Sequence, residues 1–196
     1  MYKFKLVNTS KKSIIQYSDF LTKIYPNTNK FTYEFLKWQY IENPDGKVVG
    51  YDAFFENELA AHYATIPVKV FINGKLQQGL LSLNTATHKN HRGKRLFTKL
   101  AEMTYDFAEK NNYKFIYGVA NANSVRGFTK YLGFISKPLI TKIGFGKFSG
   151  TLKTDNYSFL KEWNNENLNW RVSNPEINYN INNCEISYSP KFGLKA

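Results

Sequence analysis

Gly79-Leu80-Leu81-Ser82-Leu83-Asn84-Thr85-Ala86-Thr87-His88-Lys89-Asn90-His91-Arg92-Gly93-Lys94-Arg95-Leu96-Phe97 is the stretch that decides the fold. Residues 80–87 are an apolar, β-branched run that reads as a strand; a basic turn around Gly93 follows, and a periodic helix starts at once. The first-turn N–H groups of such a helix have no internal partners, and its macrodipole places partial positive charge there. Lys89, Arg92, Lys94 and Arg95 add full charges. A phosphorylated ligand is expected at this turn.

Downstream, Leu96, Leu100, Met103 and Phe107 lie on one face of a helix over residues 93–110, widened by Phe97, Ala101 and Ala108. Asn111-Asn112 ends it, and residues 113–120 read as another strand. Strand, helix, strand implies a right-handed βαβ crossover with two parallel strands. Upstream, residues 48–55, 59–72 and 76–87 form an antiparallel meander, joined through Glu56-Asn57 and the hairpin signal Asn73-Gly74. Pro67 cannot donate to a ladder, so a bulge or an edge is expected there. A strand over 3–7, a helix over 18–24 ahead of Pro26, and a helix from Thr32 closed by Asn43-Pro44-Asp45-Gly46 complete the first part. Residues 124–132 read as a short helix ended by Gly133, and 134–148 as one or two strands broken at Lys137-Pro138. The fold class is therefore α/β (α+β): a mixed, mostly antiparallel twisted sheet with a parallel βαβ core.

A chain of 196 residues, 42% hydrophobic and 17% aromatic, has ample material for a core. Its 27 Lys and Arg against 15 Asp and Glu give a net charge of +12, which favours anionic partners. The charges are dispersed, so an ordinary basic surface remains the competing reading. Cys184 is the only cysteine; it allows neither an internal disulfide nor a cysteine-based zinc site, and a reducing compartment is expected. The N-terminus has no apolar signal region, and no run of apolar residues would span a membrane. The expected location is cytoplasmic, without a membrane partner. Nucleic acid is not expected as a partner, for no zinc motif, helix-turn-helix or RNA-recognition signature is present. After Gly150 the composition shifts to Asn, Glu and Ser, and residues 170–175 echo 38–44, each segment carrying Trp and Asn-Pro after a plausible helix. Residues 1–148 are read as one domain and 149–196 as an extension. Chance or a degenerate, truncated second half would explain the echo.

His91-Arg92-Gly93-Lys94 after a strand, followed by Asn121-Ala122-Asn123-Ser124, Phe128 and Leu132-Gly133-Phe134, resembles the GNAT superfamily of acyl-CoA-dependent N-acyltransferases. The resemblance covers roughly residues 1–148 and is closest to larger bacterial members associated with glycan biosynthesis. It implies acetyl-CoA as co-substrate, no metal, and a primary amine as acceptor, with an amino sugar or nucleotide-linked amino sugar as the best candidate. It also implies parallel strands that splay apart to bind the pantetheine arm, here between Thr85 to Thr87 and residues 117–120. Thr85 and Thr87 would then serve the pantetheine and thioester. Arg92, Gly93, Lys94, Arg95, Leu96 and Phe97 would hold the pyrophosphate, and Asn121, Asn123 and Ser124 would cap the next helix or touch the cofactor.

Two features depart from the family pattern. Arg95 and Phe97 occupy its two small positions, where backbone approach is retained if φ stays negative. Thr129 stands where many members carry a tyrosine as general acid, and Tyr131 lies on another face of that helix. For a base acting through water the candidates are Glu58, His62 and His88, with Asp52 behind them. Each has a plainer reading: a turn carboxylate, a buried structural histidine, and a residue lining the phosphate loop. His91 reads as a loop residue. A non-catalytic acyl-CoA-binding module, or part of a larger acyltransferase, is the alternative function.

Overall fold

The structure, a computed structural model, describes residues 1–137, 158–182 and 185–187. Their elements are, in order, β1 (Lys3–Leu6), α1 (Lys11–Ile24), α2 (Tyr33–Tyr40), β2 (Val49–Phe55), β3 (Glu58–Ile72), β4 (Lys75–Thr87), α3 (Leu96–Lys110), β5 (Ile116–Gly118), α4 (Ala122–Tyr131), β6 (Phe159–Lys161), α5 (Asn165–Val172), β7 (Asn180–Asn182) and β8 (Glu185–Ser187). Strands β1 to β5 are hydrogen-bonded in chain order, and β6 adds antiparallel to β3. β1 through β4 are antiparallel neighbours, whereas β4 and β5 run parallel. The mixed sheet with a parallel βαβ core is thus present. β7 and β8 form a separate antiparallel pair. The strands expected within 138–148 lie outside the described residues, while 134–137 are not strand.

Turn chemistry sets the meander. Glu56 and Asn57 have φ of 49° and 68°, and Asn73 and Gly74 have 48° and 76°, so both hairpins turn through left-handed pairs that match strand twist. Pro67 pairs with Leu80 of β4. On its other side β2 has ended at Thr65 and β6 begins only opposite Val70, so Pro67 sits at a local edge where no ladder donor is required.

Helices cover both faces of the sheet. On one, Ile14, Tyr17 and Leu21 of α1 and Leu36, Trp38 and Tyr40 of α2 pack with Ala64, Ile66 and Ala86. On the other, Leu96, Leu100 and Ala101 of α3 pack with Ala53, Ala61 and Tyr63. α1 starts at Lys11, earlier than residue 18, because Ser10 caps it by accepting from the Ser13 N–H, and Ile14, Tyr17 and Leu21 share the buried face. α5 packs on α2 through a stack of Trp170 on Trp38.

One irregularity matters for function. The β3–β4 register shifts between His62 and Ala64, opposite Ala86 and Leu83, and Asn84 within this bulge has φ 45°. β5 pairs with β4 only from Leu80 to Ser82, so beyond the bulge β4 runs on without β5 beside it. The strand expected over 113–120 is correspondingly reduced to three residues, because its continuation has no ladder partner.

Candidate functional site

Two cavities flank the bulged end of β4. The larger, about 920 Å³, lies between the α1–α2 connection, the β4 bulge, the end of β5 and α4. Among the described residues its wall includes the aromatic rings of Tyr25, Phe31 and Phe35 and the polar groups of Thr28, Gln39, Asn84, Thr85 and Ser124. The smaller, about 660 Å³, lies over the N-terminus of α3 and is lined by Thr87, Arg92, Gly93, Arg95, Leu96, Phe97, Thr98 and Tyr131, among others. Thr87 lines one cavity and Thr85 the other, so the end of β4 that has no β5 beside it runs from one site to the next.

The α3 N-terminus is built to receive an anion. Lys99 N–H is the first to bond back, to the Arg95 carbonyl, which leaves the N–H groups of Leu96, Phe97 and Thr98 without intrahelical acceptors. No side chain caps the helix. Arg92, Lys94 and Arg95 are exposed around these donors. Gly93 has φ 76°, and Arg95 has φ 56° and ψ 21°. The condition of a negative φ at Arg95 is therefore not met: the residue takes the left-handed conformation that glycine would adopt more readily, at a cost of about 1–2 kcal/mol. Phe97, at the other expected small position, is half-buried with its ring edge-on to Phe128, 5.2 Å between centroids. A Cβ at Gly127 would come within 2.9 Å of the Phe97 ring, so Gly127 makes room for the larger residue.

The turn is fixed from behind. Tyr2 O–H pairs with His91 Nδ1 at 2.7 Å, and Phe55 packs on the same imidazole at 5.3 Å between centroids. Desolvation, followed by the nearby charge of Lys94 and by His88, holds the His91 pKa below the usual histidine value. His88 donates its backbone N–H to the Ala60 carbonyl, and its ring caps the short turn at 89–91 by accepting from the Asn90 N–H.

At the strand, the Tyr25 hydroxyl donates to the Thr85 carbonyl at 2.5 Å, and Arg92 Nε donates to the Thr87 carbonyl at 3.4 Å. Burial raises the Tyr25 pKa, with Arg92 opposing it. Both carbonyls thus already have side-chain donors. Asn121 and Ser124 form a reciprocal box: Asn121 Oδ1 accepts from Ser124 N–H at 3.0 Å, and Ser124 Oγ accepts from Asn121 N–H at 3.1 Å. The side chain of Asn123 lies outside the described residues. Thr129 lines the larger cavity, its hydroxyl bonded to the Val125 carbonyl, and Tyr131 lines the smaller.

The three candidate bases are not brought together. Glu58 is exposed at the β2–β3 hairpin. His62 is fully buried, its Nδ1 2.6 Å from Asp52 Oδ1 and its Nε2 2.9 Å from the Tyr40 hydroxyl. Among the described residues that line the larger cavity there is no histidine or carboxylate. Tyr17 donates to the other Asp52 oxygen at 2.6 Å, and burial, then the Asp52 charge, pushes its pKa far above the ordinary phenol range. Burial does the same to Tyr40. Tyr40, Gln39 and Asn84 were not among the expected site residues. The signal for Asn84 was present, an Asn interrupting an apolar strand, where among non-glycine residues it is a type that tolerates a left-handed bulge.

No helix among the described residues is long and apolar enough to cross a membrane. Among curated proteins no sequence matches the chain significantly. Solved structures do. A predicted acetyltransferase from Clostridium acetobutylicum, determined with acetyl-CoA, superposes with a TM-score of 0.60 at 18% identity, covering 74% of this chain and 96% of that one. Glucosamine-6-phosphate N-acetyltransferase from Arabidopsis thaliana gives 0.53 at 16% identity, covering 74% and 99%. N-myristoyltransferase from Saccharomyces cerevisiae gives 0.52 at 22% identity, over 61% of this chain and 30% of that one. These likenesses concern the fold. The profile described as an acetyltransferase (GNAT) domain matches residues 6–134, well over half of the sequence and all of the elements around both cavities up to α4. With that match, and a β4–β5 gap leading to an uncapped basic helix N-terminus, the chain belongs to the GNAT acetyltransferase family, the acetyl-CoA-dependent N-acyltransferases.

Proposed function

We propose that the protein acetylates the primary amine of an amino sugar, free or nucleotide-linked, with the acceptor held in the larger cavity. The observation that carries this reading is the make-up of that cavity: rings of Tyr25, Phe31 and Phe35 suited to a sugar face, beside the hydroxyl and amide groups of Thr28, Gln39, Asn84 and Ser124. The neighbours named for glucosamine 6-phosphate and for aminoglycosides lend the same substrate class some weight. Acetyl-CoA supplies the activated acyl carbonyl. The pyrophosphate then belongs on the N–H groups of residues 96–98 with Arg92, Lys94 and Arg95 around it, and the pantetheine along β4 from Thr87 towards Thr85. Because Tyr25 and Arg92 already occupy the Thr85 and Thr87 carbonyls, the pantetheine either displaces them or uses the remaining groups of the strand.

With no histidine or carboxylate among the described lining residues, alignment of amine and thioester does most of the work, and the acceptor reacts as its free base. The rate then rises with pH towards the acceptor's own pKa. We further propose that residues 149–196 are the start of a degenerate second half, on the strength of the matching caps and Asn-Pro turns of α2 and α5. Thiol release from acetyl-CoA with glucosamine 6-phosphate, a UDP-linked amino sugar, kanamycin, spermidine and an N-terminal peptide tests the substrate class. Turnover confined to the last two would overturn the amino-sugar reading.

A further inference from the structure

A chain of hydrogen bonds links a buried carboxylate to the wall of the larger cavity, and its direction follows from the buried end when the imidazole is neutral. Asp52 is 1% exposed, and an ionised carboxylate can only accept. Tyr17 donates to Oδ2 and receives the Asn8 N–H at 3.0 Å, so among the described residues the group left to serve Oδ1 is His62, through a proton on Nδ1. When the ring is neutral, Nε2 carries a lone pair, and the Tyr40 hydroxyl, 2.9 Å away, is placed to donate to it. The Tyr40 oxygen accepts in turn from Asn84 Nδ2 at 3.0 Å. The same Nδ2 donates its second hydrogen to Gln39 Oε1 at 2.6 Å. Both amide hydrogens of Asn84 are thereby used, and among the described residues its Oδ1 has no partner. Asn84 stands at the cavity wall, in the β4 bulge, beside Thr85.

We infer that Asn84 presents its amide oxygen to the acceptor amine, and that Asp52, His62 and Tyr40 are positioning residues that fix this polarity. The inference rests on the reading of the larger cavity as the acceptor site. An acceptor atom can hold an amine only through an N–H, which leaves the nitrogen lone pair free to attack. If the amide were reversed, its NH₂ would bind that lone pair and block it. The chain also excludes His62 as a base along this path, because a side-chain amide between it and the cavity does not relay protons.

Asp52→Asn tests the polarity with little change of shape. The new amide can accept from Tyr17 and donate to His62 Nδ1, which moves the imidazole proton to Nε2, turns Tyr40 into a donor towards Asn84 and reverses the Asn84 amide. Nitrogen-15 NMR of labelled histidine, with His88→Asn and His91→Asn for assignment, is expected to show the Nδ1–H tautomer for His62 in the wild type and Nε2–H in Asp52→Asn. Kinetically, Asp52→Asn, Tyr40→Phe and Asn84→Ala are each expected to raise the KM for glucosamine 6-phosphate, or for the best amine of the panel above, by about tenfold, the scale of one polar contact. The calorimetric Kd for acetyl-CoA stays within about twofold, and Asp52→Asn adds nothing to Asn84→Ala. An Nε2–H tautomer in the wild type overturns the proposal without any substrate. So does an unchanged amine KM in Tyr40→Phe and Asn84→Ala, which carry the test if Asp52→Asn does not fold. Wild-type protein that binds acetyl-CoA and acetylates no amine would instead overturn the functional reading, with the NMR result still deciding the polarity.

Discussion

Trp38 and Trp170 stack with ring centroids 4.5 Å apart and planes 11° from parallel, and each indole N–H donates to the other residue's backbone carbonyl, at 2.7 and 2.9 Å. The contact is reciprocal beyond the rings. Thr32, the cap of α2, bonds to Glu176 after the second Asn-Pro turn, and Asn167, in the first turn of α5, bonds to Asp45 after the first. Each half of the pairing therefore depends on the other. Replacing Trp38, only 4% exposed, with alanine is expected to lower stability by about 3 kcal/mol in denaturant unfolding, and Trp170→Ala by about 2 kcal/mol. The double variant should be less destabilised than the sum, as shared contacts require.

Arg95 places a residue with a Cβ and a long charged side chain in left-handed backbone, so the ordinary ranking of substitutions reverses there. Arg95→Gly should be more stable than Arg95→Ala by about 1 kcal/mol, measured by thermal or denaturant unfolding. Both variants should weaken acetyl-CoA binding to a similar extent, and more at low salt than at high salt, since both remove the same exposed charge.

Gly79 opens the deciding stretch, and the Phe115 ring covers its α-carbon: a Cβ there would lie 2.3 Å from the ring. Gly79→Ala is expected to cost about 1–3 kcal/mol through forced displacement of Phe115, measured by unfolding. Gly74→Ala gives a contrasting control, for nothing lies within 4 Å of its Cβ position and any cost comes from its φ of 76°.

His91 has a pKa held below the usual histidine value, chiefly by desolvation and then by Lys94. Because the folded value lies below the unfolded one, the unfolded chain binds more protons between the two, so stability rises with pH across that window and falls as pH drops through it. A bound pyrophosphate beside Arg92 would raise the His91 pKa. Acetyl-CoA binding near pH 6 should therefore take up protons, read by calorimetry in buffers of different ionisation heat, and His91→Asn should reduce that uptake.

Much of the fold was legible because its signals are local. The Asn73-Gly74 turn, the α3 stripe and the apolar run of β4 each follow from neighbouring residues, and they place the parallel pair and the anion-binding turn. What escaped depends on contacts distant in sequence. The start of α1 is hidden by Lys11-Lys12-Ser13 and becomes clear only when Ile14 and Tyr17 are seen beneath the sheet. The left-handed backbone at Arg95 escaped because a long basic residue carries no local signal for it. His62 is read among the candidate bases, with Asp52 behind them, yet the hydroxyl of Tyr40 and the amides of Gln39 and Asn84 that connect His62 and Asp52 to the cavity come from a helix and a bulge. No spacing in the sequence announces that junction.

The central claim is that the α3 N-terminus and the end of β4 open on its β5 side form one acyl-CoA site. Calorimetric titration of the purified protein with acetyl-CoA tests it most directly, with Arg92→Glu alongside. Saturable binding at one site per chain, weakened at least about tenfold by the charge reversal, is the predicted result. Absence of saturable binding, or binding indifferent to Arg92→Glu, would contradict the account.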